Sequence, residues 1–237
     1  MKQGFQWVVV GVALVTGYPT NRLAAQVGHE PGQSPYRDIQ RGAGPVFFAR
    51  HLGGERGRAG VGPGNAFGIG ARWEVAMGRP TLVQFTAAFL KGDRMIVNPA
   101  LDDTVPSKRY GPLDTDILFT EIALQLRLTG GKTWHGFAPY VGVGAGMSFD
   151  VSSPGDTTGS GYAFGSKLTF SGSTGLRWHP TRKISVTLDA RAVMWRLRYP
   201  VSFHSAAPDG SRVVAIQDRL TDWTTHPWVS LGIGWIF

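Results

Sequence analysis

The sequence predicts an all-β chain, an eight-stranded antiparallel up-and-down transmembrane β-barrel. Three observations carry this. Apolar residues alternate with small or polar ones along eight short runs. The joins between runs are short and long in turn, as in membrane barrels. No apolar stretch approaches the roughly 20 residues that a membrane-spanning helix requires.

The 237 residues suit one domain behind a leader. Lys2 precedes an apolar core at residues 7–15 (WVVVGVALV), and Leu23-Ala24-Ala25 stands before Gln26. A basic start, a short apolar core and small residues at a cut site make residues 1–25 an expected secretory signal peptide. Residues 26–40 are polar with two prolines and two glycines, and read as a flexible lead-in. The barrel is expected over residues 41–237.

The first run, residues 42–52, is the least regular. Val46-Phe47-Phe48 breaks its alternation, and Pro45 is tolerable only near a strand start or at a bulge. Residues 66–77 set Phe67, Ile69, Ala71, Trp73, Val75 and Met77 against Gly68, Gly70, Arg72 and Glu74. Residues 81–90 put Val83, Phe85, Ala87 and Phe89 on one face, with Leu82 and Leu90 on the other. The clearest run is 116–128, with Leu118, Ile122, Leu124, Leu126 and Leu128 against Glu121, Ala123, Gln125 and Arg127. Wound as a helix, these residues would scatter leucines and charges on every side; extended, they form one apolar and one polar face.

Residues 140–150 oppose Val141, Val143, Ala145, Met147 and Phe149 to Gly142, Gly144, Gly146 and Ser148. Residues 167–178 oppose Leu168, Phe170, Leu176 and Trp178 to Thr169, Ser171, Ser173 and Arg177. Residues 183–195 oppose Ile184, Val186, Leu188, Ala190, Ala192 and Met194 to Ser185, Thr187, Asp189 and Arg191. Residues 228–237 oppose Val229, Leu231, Ile233, Trp235 and Phe237 to Ser230, Gly232 and Gly234. The expected short joins are 78–80, 129–138 and 179–182, and the long ones 53–64, 92–113, 151–165 and 199–221.

Alternation alone does not say which face is inside, but residue size does. Gly and Ser would make a bare outer surface and suit a crowded, narrow interior. Trp73, Trp178, Trp235, Phe149 and Phe237 on the other face suit interfacial girdles. Cysteine is absent, which excludes disulfides, thiolate metal sites and cysteine nucleophiles. The net charge of +8 is scattered rather than clustered, which fits anionic headgroups or solvation and gives no nucleic-acid patch.

The segments 139–146 (PYVGVGAG), 188–191 (LDAR) and 231–237 (LGIGWIF) resemble the OmpA-like family of small outer-membrane β-barrel proteins, over about 41–237. The resemblance implies outer-membrane lipid and lipopolysaccharide as surroundings. It also implies that Val229, Leu231, Ile233, Trp235 and Phe237 form the C-terminal signal read by the barrel-assembly machinery.

Arg72, Glu74, Glu121, Arg127, Arg177, Asp189 and Arg191 fall on the polar faces, so they are the candidate lumen charge network. Counted from the short turns, Arg72, Glu121, Asp189 and Arg191 lie near mid-height, with Arg72 expected to share a plug with Glu121. Paired, these charges plug the barrel; unpaired, they line a small polar conduit. No cofactor or metal is implied. Asp102-Asp103 and Asp114/Asp116 lack calcium-loop spacing, and the glycines at 142–146 precede no helix that would make them a phosphate loop. His204-Ser205 would point to opposite faces if on a strand, and the His-X-Ser-Asn pattern of PagL-type lipid A deacylases is not visible. The expected role is therefore envelope integrity or surface interaction. The alternatives are a narrow channel or lateral path for small hydrophobic molecules, and modification of lipid A.

Overall fold

The computed structural model describes residues 34–39, 43–152 and 159–236. The expected signal peptide and Phe237 lie outside the described residues. The strands are β1 Tyr36–Asp38, β2 Ala43–Leu52, β3 Ala66–Ala76, β4 Thr81–Val97, β5 Arg109–Arg127, β6 Lys132–Trp134, β7 Phe137–Asp150, β8 Ser166–Trp178, β9 Ile184–Arg198 and β10 Thr221–Trp235. Eight of them close a barrel in the cyclic order β2-β3-β4-β5-β7-β8-β9-β10, with every neighbour antiparallel. The end of the expected lead-in is ordered: β1 pairs with β6 beneath the barrel.

Cross-strand partners lead from Leu52 through Trp228, Arg191, Ser173, Gly142, Gln125 and Leu82 to Ala76. Ala76 lies one residue past the Val75–Ala43 pair, so the register returns to β2 ten residues from its start. That stagger tilts the strands by about 40° and leaves an interior just wide enough for side chains. The glycines are part of the fit. A Cβ on Gly144 would stand 2.4 Å from Glu121 Oε1 and 2.8 Å from Ser171 Oγ.

Two hairpins run longer than the sequence suggests. β4 and β5 continue through much of the expected 92–113 loop, where Lys91 faces Asp116 across the ladder, and a register shift between Arg94 and Ile96 absorbs the irregularity. β10 begins at Thr221 rather than near residue 228. Pro227, within the strand, has no N–H to give. In the fold its missing donor is harmless, since the ladder to β2 begins only at Trp228 and the Pro227 carbonyl accepts from the Gly53 N–H.

The irregular first run also resolves. Val46, Phe48, Arg50 and Leu52 point inward, while Phe47 points out and is 65% exposed. Leu82 and Leu90 likewise turn inward and are buried. The inner face is therefore polar in its lower and middle part and apolar near the rim of the long joins, where Leu52, Ala66, Leu90, Ile117, Phe119, Trp195 and Trp228 meet. Above them the long joins fold inward as a lid. Ala59 and Val61 come from the β2–β3 join, Tyr162 and Phe164 from the β7–β8 join, and Phe203 and Val214 from the β9–β10 join. Phe203 lies on a short 3-10 helix, Val201–His204, and makes a three-ring cluster with Tyr162 and Tyr199, at 6.2 and 5.9 Å, which are themselves 6.2 Å apart.

The exterior is the reverse of a soluble protein's. Ile69, Phe85, Ile122, Leu124, Val143, Leu188, Leu231 and Ile233 are exposed around the girth, with Trp73, Trp178, Trp235 and Phe137 towards the short turns. Leu124 sits between Val83 and Val143 in this band. Leu124→Arg should destabilise the barrel by ~2–4 kcal/mol in lipid vesicles, the cost of a cation at hydrocarbon mid-depth. Denaturant unfolding in vesicles measures it.

Candidate functional site: the charged lumen

The inward positions of β3, β4, β5, β8 and β9 bring charged side chains into one column. Arg191 is its centre. It is fully buried, pairs with Glu121, and holds Asp189 through Nε at 2.6 Å. Its second terminal nitrogen donates to Gln84 Oε1 at 3.3 Å. Glu121 also accepts from the Ser171 hydroxyl. Asp189 accepts from the Tyr140 hydroxyl at 2.6 Å and lies 4.0 Å from Arg72. Arg72 donates to Ser230 at 3.4 Å.

A lower group sits nearer the short turns. Arg177 pairs with Glu74 at 2.7 Å, and Glu74 accepts from Gln84 Nε2 at 2.7 Å. Gln84 therefore links the two groups. Arg127 is buried beside them without an ion pair among the described residues.

All seven residues singled out from the sequence thus point into the lumen, and six of them share ion pairs. The expected direct sharing between Arg72 and Glu121 does not occur. Asp189 takes Arg72, and Arg191 takes Glu121. The reason is register: the tilt of the strands lifts Glu121 on β5 to the level of Arg191, away from Arg72 on β3.

Sequence reasoning missed Arg50, Tyr140, Gln84, Trp228 and His226. Arg50 is fully buried, with its guanidinium 3.6 Å from the Trp228 ring and 5.2 Å from that of Phe119. It makes no hydrogen bond among the described residues. The even-numbered set Val46, Phe48, Arg50 and Leu52 carried the signal, but two adjacent phenylalanines hid it. His226 is buried within β10, stacked on Trp195 at 4.0 Å, with Nε2 at 2.9 Å from the Thr224 hydroxyl.

The other candidates separate. His204 and Ser205 stand at the end of the 3-10 helix rather than on a strand; His204 Nε2 meets the Asp218 carbonyl at 3.1 Å, and the Ser205 N–H donates to the Ser202 carbonyl. Asp103 pairs with Lys108 at 2.6 Å, and Asp102 accepts from the Asp209 N–H. Among the described residues no three His, Asp or Glu side chains are grouped to hold a metal.

At the short-turn rim, burial and the neighbouring Arg177 and Arg127 pull the His179 pKa down from 6.5 to about 4. The unfolded chain binds that proton more readily, so stability should be full above about pH 6.5 and fall as the pH drops towards 4. His179→Gln should flatten that part of the pH–stability curve measured by denaturant unfolding.

A polar, ion-paired interior inside an apolar exterior needs a bilayer around it, and a closed sheet is one of the two forms whose backbone is satisfied there. The chain is a closed eight-stranded antiparallel β-barrel of the transmembrane kind. No family model matches it, and no curated protein matches it. Among solved structures it is similar to the outer membrane protein OprG of Pseudomonas aeruginosa, at 14% identity and a TM-score of 0.49, covering 84% of this chain and 98% of that one. Neisserial surface protein A gives 10% and 0.46, covering 86% and 98%. Ail, the attachment invasion locus protein of Yersinia pestis, gives 12% and 0.37, covering 84% and 100%. The barrel itself is established by its own strand register.

Proposed function

We propose that the protein resides in the bacterial outer membrane as a closed barrel, serving envelope integrity and surface interaction through its exterior and its long joins rather than as a conduit. The observation that carries this reading is double closure. The Arg191 network fills the lumen at mid-height, and the apolar lid of Ala59, Val61, Tyr162, Phe164, Phe203 and Val214 covers its upper end. The wall supports it too, because backbone ladders join all eight neighbouring pairs and favour no lateral path for hydrophobic molecules.

Planar-bilayer recording of the full chain tests it. No steady conductance is expected, and liposomes carrying the protein should take up small hydrophobic solutes no faster than empty ones. A stable conducting level or accelerated uptake would move the function to transport. A mass shift of lipid A on expression would move it to lipid modification.

Biogenesis is part of the same reading. Val229, Leu231, Ile233 and Trp235 all face outward on β10, which supports their use, with Phe237, as the signal for the barrel-assembly machinery. Deleting Phe237 should lower the yield of heat-modifiable folded band in cells while leaving refolding in detergent nearly unchanged. Normal cellular yield would count against an assembly signal.

A further inference from the structure

The upper rim of the barrel is not electrically uniform. On the β4–β5 side, charges of both signs stand together, with Lys91 opposite Asp116 and Asp93 opposite Asp114. On the β9–β10 side, Arg196 and Arg198 both point outward and are exposed, and neither forms an ion pair among the described residues. Two residues apart on one strand, their side chains leave the same face about 7 Å apart, a spacing that lets two guanidinium forks close on one phosphate group.

Their surroundings match an amphiphile. Trp223 is the cross-strand partner of Arg196, is 56% exposed, and lies 6.3 Å from the ring of Phe170. Met194, two residues below Arg196 on β9, and Leu168, outward on the neighbouring β8, continue the apolar surface towards the middle of the barrel. Thr221 is the partner of Arg198, and its hydroxyl accepts from Arg196 at 3.1 Å. The outward neighbours Ser166, Thr221, Trp223 and Thr225 add no acid. A cationic pair thus stands at the headgroup level, over an aromatic and an apolar strip.

We infer that this rim is a docking surface for the phosphates of lipid A, the bis-phosphorylated glycolipid of the outer leaflet, with its acyl chains lying along the strip below. The inference rests on the outer-membrane reading above, and names the lipid that the barrel's exterior would hold. A zwitterionic lipid offers each guanidinium a phosphate already neutralised by its own amine. Lipid A offers phosphates with no internal counter-charge.

The full chain, folded in detergent, is titrated with bis-phosphorylated lipid A, with dephosphorylated lipid A and with phosphatidylglycerol, and bound lipid is counted by native mass spectrometry. Wild type should retain bis-phosphorylated lipid A in preference to both others. Arg196→Ala should weaken that binding about five-fold, and Arg196→Ala with Arg198→Ala roughly thirty-fold, as expected for surface cations facing anionic headgroups. Lysine at both positions should restore part of the loss, because it keeps the charge without the fork. Arg182→Ala with Lys183→Ala, at the opposite rim, should change nothing. An unaltered heat-modifiable band shows that the variants fold. Equal losses for lipid A and phosphatidylglycerol, or no loss in the double variant, would overturn the assignment. Cell fractionation is read separately: protein absent from the outer membrane would defeat the outer-membrane reading, whatever the titration gives.

Discussion

Replacing Arg191 should destabilise the barrel more than any other single lumen substitution. Arg191→Met strands two buried carboxylates, Glu121 and Asp189, which Arg191 now holds. Breaking a buried pair by removing one partner costs ~3–5 kcal/mol, and here one cation serves two acids, which places the loss at the upper end of that range. Glu121→Gln should cost less, since Ser171 and Arg191 retain hydrogen-bonding partners. Combined, Arg191→Met and Glu121→Gln should fall short of the sum by more than 1 kcal/mol, whereas Arg72→Gln and Glu121→Gln, joined only through Asp189 and Arg191, should couple more weakly than that pair. Denaturant unfolding in lipid vesicles gives all five values. Strong coupling between Arg72 and Glu121 would show that the lumen rearranges around Arg191.

Phe203→Ala should have the second large effect, and it should be local. The ring is fully buried against Tyr162 and Tyr199, and Phe→Ala in a packed core costs ~3–5 kcal/mol. That loss falls on the lid rather than the wall, whose ladders do not involve Phe203. The 199–220 join should therefore become open to protease while the barrel keeps its heat-modifiable band. Bilayer recording on the same variant separates the two closures. If the Arg191 network seals the lumen by itself, the variant remains silent. If conductance appears, the lid is the principal seal.

The sequence by itself determined the eight barrel strands and, apart from the first run, their outward faces; the short β1 and β6 lay in segments read as a lead-in and a join. In a barrel each strand has one side in lipid and one in the lumen, so the period of two survives in the chain wherever both environments apply, as along residues 116–128. It also turned Arg72, Glu121, Asp189 and Arg191 inward, since they share parity with small or polar residues, but it did not reach Arg50. It misled where the environment changes along a strand. Above the bilayer both faces of β4, β5, β9 and β10 meet water or the lid, so alternation fades and the strands read as loops.

Only the tertiary structure decided the pairings. Which acid meets which base depends on the ten-residue stagger, and this sums small offsets over all eight interfaces, none of them written in any one run. The lid was equally out of reach. Ala59, Val61, Tyr162, Phe164, Phe203 and Val214 come from three separate irregular joins, and an isolated apolar residue in such a join carries no period. What makes them a cluster is the barrel mouth beneath, whose apolar upper wall of Leu197, Trp195 and Val97 is buried only when the joins fold over it.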